Sequence, residues 1–359
     1  MKPSSNKNTS VFPQGHINRS NWKRVKLGDV LSYEQPYPYI VKDTEYADAG
    51  IPVLTPGKTF ILGYTHEATG VCQASYQAPK ILFDDFLTIS RLVEFDFKVK
   101  SSAVKILSPT SNEYNLRYLF YAMSQLRFEV VDHQRHWIGQ FAKLEIAIPS
   151  RKEQDKISDA LLSCEKHITA IQDLITKYEA IKKATVNLLL KPEVGWRKVK
   201  IKDFCPLQRG FDLPKRLRSE GRYPLVCSNG IVDRIDTALQ KAPGVVTGRS
   251  GTIGSVHYVT EDYWPHNTTL WVTKFIDADP MFVYHLLSNM NLSSFSGGSG
   301  VPTLNRNSIH ETIISVPAIH KQREIALQIS AIDNVLKDRR VLLAKAQSLK
   351  QGMMSYFFG

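Results

Sequence analysis

The chain is short of the residues that build several common protein classes. It has only four cysteines, Cys72, Cys164, Cys205 and Cys227, and no two of them form a C-x-x-C pair. That spacing argues against a disulfide framework and against a structural zinc site. The expectation is reduced thiols in a cytoplasmic protein, since no hydrophobic signal sequence stands at the N-terminus. No apolar run approaches the roughly 20 residues needed to cross a bilayer, so no membrane is expected. There is no Pro-Pro dipeptide, which removes the Asn/Asp-Pro-Pro-aromatic motif of adenine N6 methylation. Acidic residues are also in deficit, at 34 Asp+Glu against 46 Lys+Arg, a net charge of +12. A surplus of that size favours a polyanionic partner, nucleic acid ahead of an anionic membrane.

Enzyme signatures fail on the same scan. TPGKT at 55–59 looks like the end of a phosphate-binding loop, but the first glycine of that motif would fall at Pro52. The segment GSVHYV at 254–259 is not a nucleophile elbow. Asp96-Phe97-Lys98 is a lone D-x-K with no Pro-Asp dipeptide, poor support for a nuclease centre. The histidines His133, His136, His257 and His266 are scattered. No catalytic residue and no metal ligand is assigned.

What is present is a repetition. NWKRVKLGDV begins at Asn21 and GWRKVKIKDF at Gly195. Further on, IAIPSRKEQDKISDALLSCEKHI from Ile146 matches ISVPAIHKQREIALQISAIDNVL from Ile314. One constant offset superposes Pro149 on Pro317, Gln154 on Gln322 and Ile157 on Ile325. The offset between Trp22 and Trp196 is larger, so the intervening segments differ in length. In the downstream matches, apolar residues recur in steps of three and four: Ile157, Leu161, Cys164, Ile168, Ile171, Ile175 and Tyr178, then Ile325, Ile329, Ile332 and Leu336, with Leu343 and Ala346 one heptad further on. This heptad seam predicts two long helices, each burying the other's stripe as an antiparallel coiled coil. The segments before them, such as IPVLTPGKTFILGYTH and APGVVTGRSGTIGSVHYV, are β-branched, aromatic and broken by Gly and Pro, the pattern of strand-rich domains. A shorter helix is expected in each domain, around EYNLRYLFYAMSQLRF and DPMFVYHLLSNM.

The predicted fold class is therefore α+β, two mixed domains in tandem, each followed by a long helix, with a pseudo-two-fold internal repeat. The expected boundaries are a disordered tail at 1–20, a first domain at 21–150, a first long helix at 151–191, a second domain at 192–317 and a second long helix at 318–359. Trp22 and Trp196 are read as packing anchors where each domain begins.

The order of these elements, with the Trp-basic-Val-Lys-aliphatic opening of each half, the Pro…Gln…Ile start of each long helix and the GRSGTIG loop at 248–254, resembles the specificity (S) subunits of Type I restriction–modification systems. The likeness runs over essentially the whole chain after residue 20. It implies two target recognition domains on a helical spacer and a non-catalytic chain that reads an asymmetric, two-part DNA target. It also implies two methyltransferase (M) subunits per chain, modifying adenine with S-adenosylmethionine, and restriction (R) subunits using ATP and Mg²⁺. No cofactor is implied on the chain itself. The first domain departs from the pattern: it has FDDFLTISRL where the second has the glycine-rich loop.

Phosphate contacts position such a protein and base-edge contacts specify. The DNA-binding candidates in the second domain are Arg249, Ser250 and Thr252 between glycines, Ser228 and Asn229 in VCSNGI, and Ser299, Thr303, Asn305 and Arg306 in SGGSGVPTLNRNS. In the first domain they are Gln134, Arg135, His136 and Trp137 in HQRHWIGQ, with Lys58 and Thr59 after Gly57. Residues at the two helix starts, Glu153, Gln154 and Lys156, and Lys321, Gln322 and Arg323, are candidates for docking M. A different class also fits the architecture: a helical scaffold carrying two β-rich protein-interaction modules. A steep fall of DNA affinity with salt separates the two.

Overall fold

The computed structural model describes residues 19–43, 45–57, 59–128, 135–297 and 302–359. Residues 1–18, most of the expected tail, lie outside them. Arg19 is engaged: its guanidinium donates to the carbonyls of Tyr356 and Gly359 and stacks on Trp22.

The duplication extends to strand order and register. In the first domain Lys23–Lys26 pairs antiparallel with Glu145–Ile148, closing the domain's two ends on each other. A four-stranded sheet runs in the order Leu31–Glu34, Val104–Pro109, Lys80–Asp84, Ser90–Val93. A three-stranded sheet runs Ile61–Thr65, Ile51–Leu54, Lys98–Val99, its last pair parallel. The second domain repeats each piece: Arg197–Lys200 with Ile313–Val316; then Leu207–Arg209, Thr269–Val272, Gly244–Gly248, Val256–Val259; then Gly230–Ile235, Glu220–Cys227, Trp264–Pro265. It adds a small hairpin of Ser296–Gly297 with Thr303–Leu304 and a helix Arg306–Glu311. The central strands, ILF at 81–83 and VVT at 245–247, are buried throughout, as expected for strands covered on both faces.

The two domains share a matching helix of nine or ten residues, Leu116–Ser124 in one and Pro280–Asn289 in the other. Asn115 and Asp279 are their N-caps, each accepting from two backbone amides of the first turn, which satisfies donors that the helix itself leaves open. The amide side chains that recur in the repeat are locked to these caps. Gln154 accepts from Asn115 N at 2.8 Å and donates to the carbonyl of Pro149 at 3.0 Å. Gln322 accepts from Asp279 N at 2.9 Å and donates to the carbonyls of Pro317 and Asp277. Both are buried, which corrects their reading as docking groups: the repeated glutamine fastens the start of a long helix to the cap of the short one. A buried amide so fully paired is costly to replace.

The long helices are Arg151–Leu189 and Ile319–Phe358, 39 and 40 residues, or about 60 Å each at 1.5 Å per residue. All the seam residues named from the sequence are buried or half-buried, while Leu174 and Ile181, off the seam, are exposed. By contact density the chain forms two compact units, residues 1–170 with 343–359, and residues 171–342, so each unit holds one domain and a stretch of both helices. In the first unit Ile157 and Leu161 share a core with Met353 and Met354, and Cys164 lies against the carbonyl of Ala346. In the second, Lys182 pairs with Asp333 at 2.6 Å and Glu179 with Arg340 at 2.7 Å. In each unit the helices thus run antiparallel. Trp22 packs on the first core and onto Tyr118; Trp196 packs on the second core beside Leu189 and Leu190. Both tryptophans are packing anchors, as their positions in the repeat suggest.

The short helices meet the long ones in matched fashion. Tyr121 donates to Glu165 at 2.7 Å, and Lys350 holds the other oxygen of that carboxylate at 2.7 Å. At the corresponding place in the second unit, buried His285 is hydrogen-bonded to Ser330 Oγ at 3.0 Å, near the Lys182–Asp333 pair. Burial pushes the His285 imidazole down from 6.5 to about 4, with Lys182 lowering and Asp333 and Asp279 raising it. Between those two values the unfolded chain binds the proton that the folded chain refuses, so stability is present above pH 6.5 and is lost as pH falls toward 4. Between pH 7 and pH 5 the loss is on the order of 2 kcal/mol. Denaturant midpoints at pH 7 and pH 5 should differ for the wild type and differ less for His285→Gln.

Candidate nucleic-acid interface

The second domain brings four chain segments together at one end of its sheets. The strand Gly244–Gly248 ends in the loop 248–254, and the hairpin turn at Ser228–Asn229 lies beside it. The segment 266–268 and the strand Thr303–Leu304 complete the group. Thr268 is the hub. Its carbonyl accepts from Arg249 N at 2.8 Å and Ser250 N at 3.2 Å, and its hydroxyl accepts from Ser228 N at 3.3 Å. The carbonyl of Ser228 accepts from Ser255 Oγ at 3.1 Å and faces His257 Nε2 at 3.1 Å. Leu304 N donates to the carbonyl of Arg249 at 2.9 Å, and Ser250 bridges to Thr303. Glycine is required at more than one position of this loop. A Cβ on Gly248 would sit 1.9 Å from the carbonyl oxygen of Thr252, and Gly251 has φ +81°.

With the backbone so consumed, the side chains of Asn229, Arg249, Thr252 and Arg306 are left at the surface, Arg249 half-buried and the others exposed. Ser228 is buried, and its contribution is the backbone that anchors the loop; this corrects its reading as a base-edge contact. Asn305 is exposed but occupied, its Oδ1 capping the helix Arg306–Glu311. Ser299 lies outside the described residues. Burial, and next the charge of Arg218, hold His266 below its ordinary value, so it stands neutral near pH 7. The fixed positive charge carried by the loop and the residues after its neighbouring strand is that of Arg249 and Arg306.

The matching end of the first domain is furnished differently. The connection 55–60 is the counterpart of the Ser228 hairpin; exposed Thr59 lies in it, while Lys58 lies outside the described residues. Asp85 stands where Arg249 stands in the second domain. Its carbonyl accepts from His136 N at 2.8 Å as Arg249's does from Leu304 N. Asp85 Oδ1 also takes Trp137 N at 2.9 Å. Within the HQRHWIGQ segment His136 is thus the counterpart of Leu304, ahead of the domain's last strand as its position in the sequence suggested. Two of its residues are corrected: His136 and Trp137 are buried, Trp137 packing against Phe83 and Phe141 and His136 against Phe128. They support the loop and do not face a groove. Arg135 is exposed, and Gln134 lies outside the described residues.

Sequence reasoning missed Asp85 and Lys105. Lys105, fully buried, lies 3.4 Å from Asp85 Oδ2 and donates to Gln35 Oε1 at 2.9 Å. The one available signal is a lysine inside the apolar run AVKIL. The D-x-K lysine, Lys98, is buried against Glu67 at 3.1 Å and the carbonyls of Thr69 and Gly70, where it fastens a loop. Among the described residues no cluster of three His, Cys, Asp or Glu is placed to hold a metal ion, and no helix is long and apolar enough to cross a membrane. At the helix starts, Lys156 and Arg323 are exposed and Glu153 half-buried; Lys321 pairs with Glu324 at 3.0 Å.

Two modules of one topology, each ending in a tightly tied loop cluster of different chemistry, define a duplicated recognition protein. The model of the Type I restriction modification DNA specificity domain matches residues 19–182 and 193–341, and the chain belongs to that family. It is 43% identical over 169 residues to the Type I restriction enzyme EcoR124I/EcoR124II specificity subunit of Escherichia coli, a match covering 46% of this chain and 41% of that protein. Among solved structures, the Type I restriction–modification S subunit from M. genitalium has the same fold, with TM-score 0.72 at 14% identity over 94% of this chain and 96% of that one. A chain from a study of assembly and conformational transition in a type I R-M system matches with TM-score 0.51 at 13% identity, over 96% and 99% of the two chains.

Proposed function

We propose that the chain is a non-catalytic DNA-specificity subunit that reads a two-part, asymmetric target in double-stranded DNA, one part per domain. The observation that carries this is the contrast between the two loop ends: one strand order and register, but arginine, serine and threonine at one and a different set at the other. A duplicated scaffold with unlike tips suits unlike half-sites. The basic surplus supplies phosphate attraction, and Arg249 is the leading base reader, with Asn229 and Thr252 beside it. Two M subunits, carrying S-adenosylmethionine, would then modify adenine at the target, and R subunits would add ATP- and Mg²⁺-dependent cleavage, all in the cytoplasm. Glu153, Lys156, Lys321 and Arg323 remain the candidates for meeting M.

The test is methyladenine sequencing of DNA from a host expressing the neighbouring methyltransferase with and without this chain. A gapped, two-part methylated motif should appear only with the chain. Its absence, with the methyltransferase active alongside another S subunit, overturns the proposal in favour of the scaffold. Arg249→Ala should then weaken specific binding by about 1–3 kcal/mol and relax one position in one half-site only.

A further inference from the structure

The turn of the first domain at the place of the GRSGTIG loop has an unusual surface. It contains no glycine, and its polar backbone groups are turned on one another. The Asp84 carboxylate accepts from Phe86 N and Leu87 N, both at 2.9 Å. Thr88 N donates to the carbonyl of Asp84 at 2.9 Å, and Thr88 Oγ1 donates to the carbonyl of Leu87 at 2.7 Å. Thr88 is held at φ 56°, a conformation that β-branched residues seldom adopt and that the surrounding bonds must enforce. What such a tip shows to the outside is hydrocarbon: Leu87 is 53% exposed and Ile89 38%. The adjoining segment adds a third apolar group. Trp137 N is bonded to Asp85 Oδ1, and the next residue, Ile138, is 58% exposed. Exposed Arg135 flanks it. Isolated exposed apolar residues are ordinary, but a strained turn that folds its donors inward and projects hydrocarbon beside an arginine is not.

We propose, resting on the DNA-reading function above, that Leu87 and Ile138 read thymine in the first half-site through its 5-methyl group. The amides of Phe86, Leu87 and Thr88 are all turned onto Asp84, and the leading side chains of the tip have no donor at all. The apolar feature that B-DNA presents in its major groove is the thymine methyl. Thus the first domain reads by apolar contact where the second reads by hydrogen bonding, and the buried Asp85 holds both parts of the apolar surface in place.

The methylated motif gives the duplex to use, and the half-site relaxed by Arg249→Ala is assigned to the second domain. In the other half-site, thymines are replaced by uracil one at a time, which removes only the methyl group. Binding is measured by titrating the duplex into the chain co-purified with its methyltransferase. At one or more positions in the first half-site, affinity should fall about three- to five-fold, the worth of one buried methyl. Leu87→Ser or Ile138→Ser should bind thymine and uracil duplexes equally at that position, and Leu87→Met should keep the preference. A first half-site without thymine, or with uracil bound as well as thymine throughout, overturns the proposal while leaving the DNA-reading function intact. No sequence-preferred binding by the wild type would instead sink the function itself.

Discussion

Replacing Gly248 by alanine should abolish recognition through the second domain while the chain stays folded. The new Cβ would lie 1.9 Å from the carbonyl oxygen of Thr252 and 3.1 Å from that of Ser228. Neither atom is the free end of a side chain. Thr252 O accepts from Ser255 Oγ, and Ser228 O is held by Ser255 and His257. Gly248 itself accepts from Gly254 N at 3.0 Å and donates to the carbonyl of Ser255 at 2.8 Å. Relief of the clash therefore has to open the loop, and opening the loop moves Arg249 and Ser250 off their anchor, the carbonyl of Thr268, and carries Thr252 with them. Specific protein–DNA binding exceeds non-specific binding by roughly 4–10 kcal/mol, so losing one of two half-sites should cost on the order of 3 kcal/mol, about a hundred-fold in affinity. The dependence on salt should be nearly unchanged, because distant phosphate contacts survive. Titrations of cognate and scrambled duplexes at several salt concentrations measure the discrimination and the salt slope, and urea unfolding of the same sample checks the fold. Gly139→Ala, where a Cβ meets nothing within 4 Å, is the control for the unfolding measurement only. Equal discrimination by Gly248→Ala and wild type would remove this loop from the reading surface.

The features that repeat were legible, because a repeat converts weak local signals into a paired one. A lone buried glutamine at the start of a helix says nothing, but Gln154 and Gln322 at one offset mark a fixed joint. What kind of joint was not legible: charged neighbours suggested a docking patch, while the structure uses each amide to tie a helix start to the cap at Asn115 or Asp279. The heptad seam was read residue by residue because a narrow stripe shared by two partners leaves little freedom. Loop ends are harder. Trp137 and His136 lie among basic residues in sequence, yet they face inward because Asp85 binds the amides of both residues. The glycines of the second loop advertised close backbone approach. The turn at 84–89 reaches a comparable place with an aspartate and a strained threonine, and no local pattern announces that.

The second large effect is expected at Lys105. It lies opposite Phe83 in the central strand pair, and the corresponding residue of the second domain, opposite Thr247, is Leu270. A charge therefore sits in the first domain where the same scaffold elsewhere accepts hydrocarbon. Lys105→Leu alone leaves Asp85, fully buried, without its cation, and removing one member of a buried pair commonly costs about 3–5 kcal/mol. Asp85→Asn alone strands the ammonium with Gln35 and the face of Tyr33 as its remaining neighbours. The double variant Asp85→Asn/Lys105→Leu removes both charges, keeps an amide oxygen for Trp137 N, and places leucine where the repeat already carries one. It should cost clearly less than the sum of the two single changes, with a coupling of roughly 2–3 kcal/mol in a double-mutant cycle. Urea unfolding of the four proteins gives that number. Additive losses would mean that Asp85 and Lys105 act separately. A strong coupling, with DNA discrimination kept in the double variant, would make the ion pair a device for holding the segment 135–138 in place, with no part in reading bases.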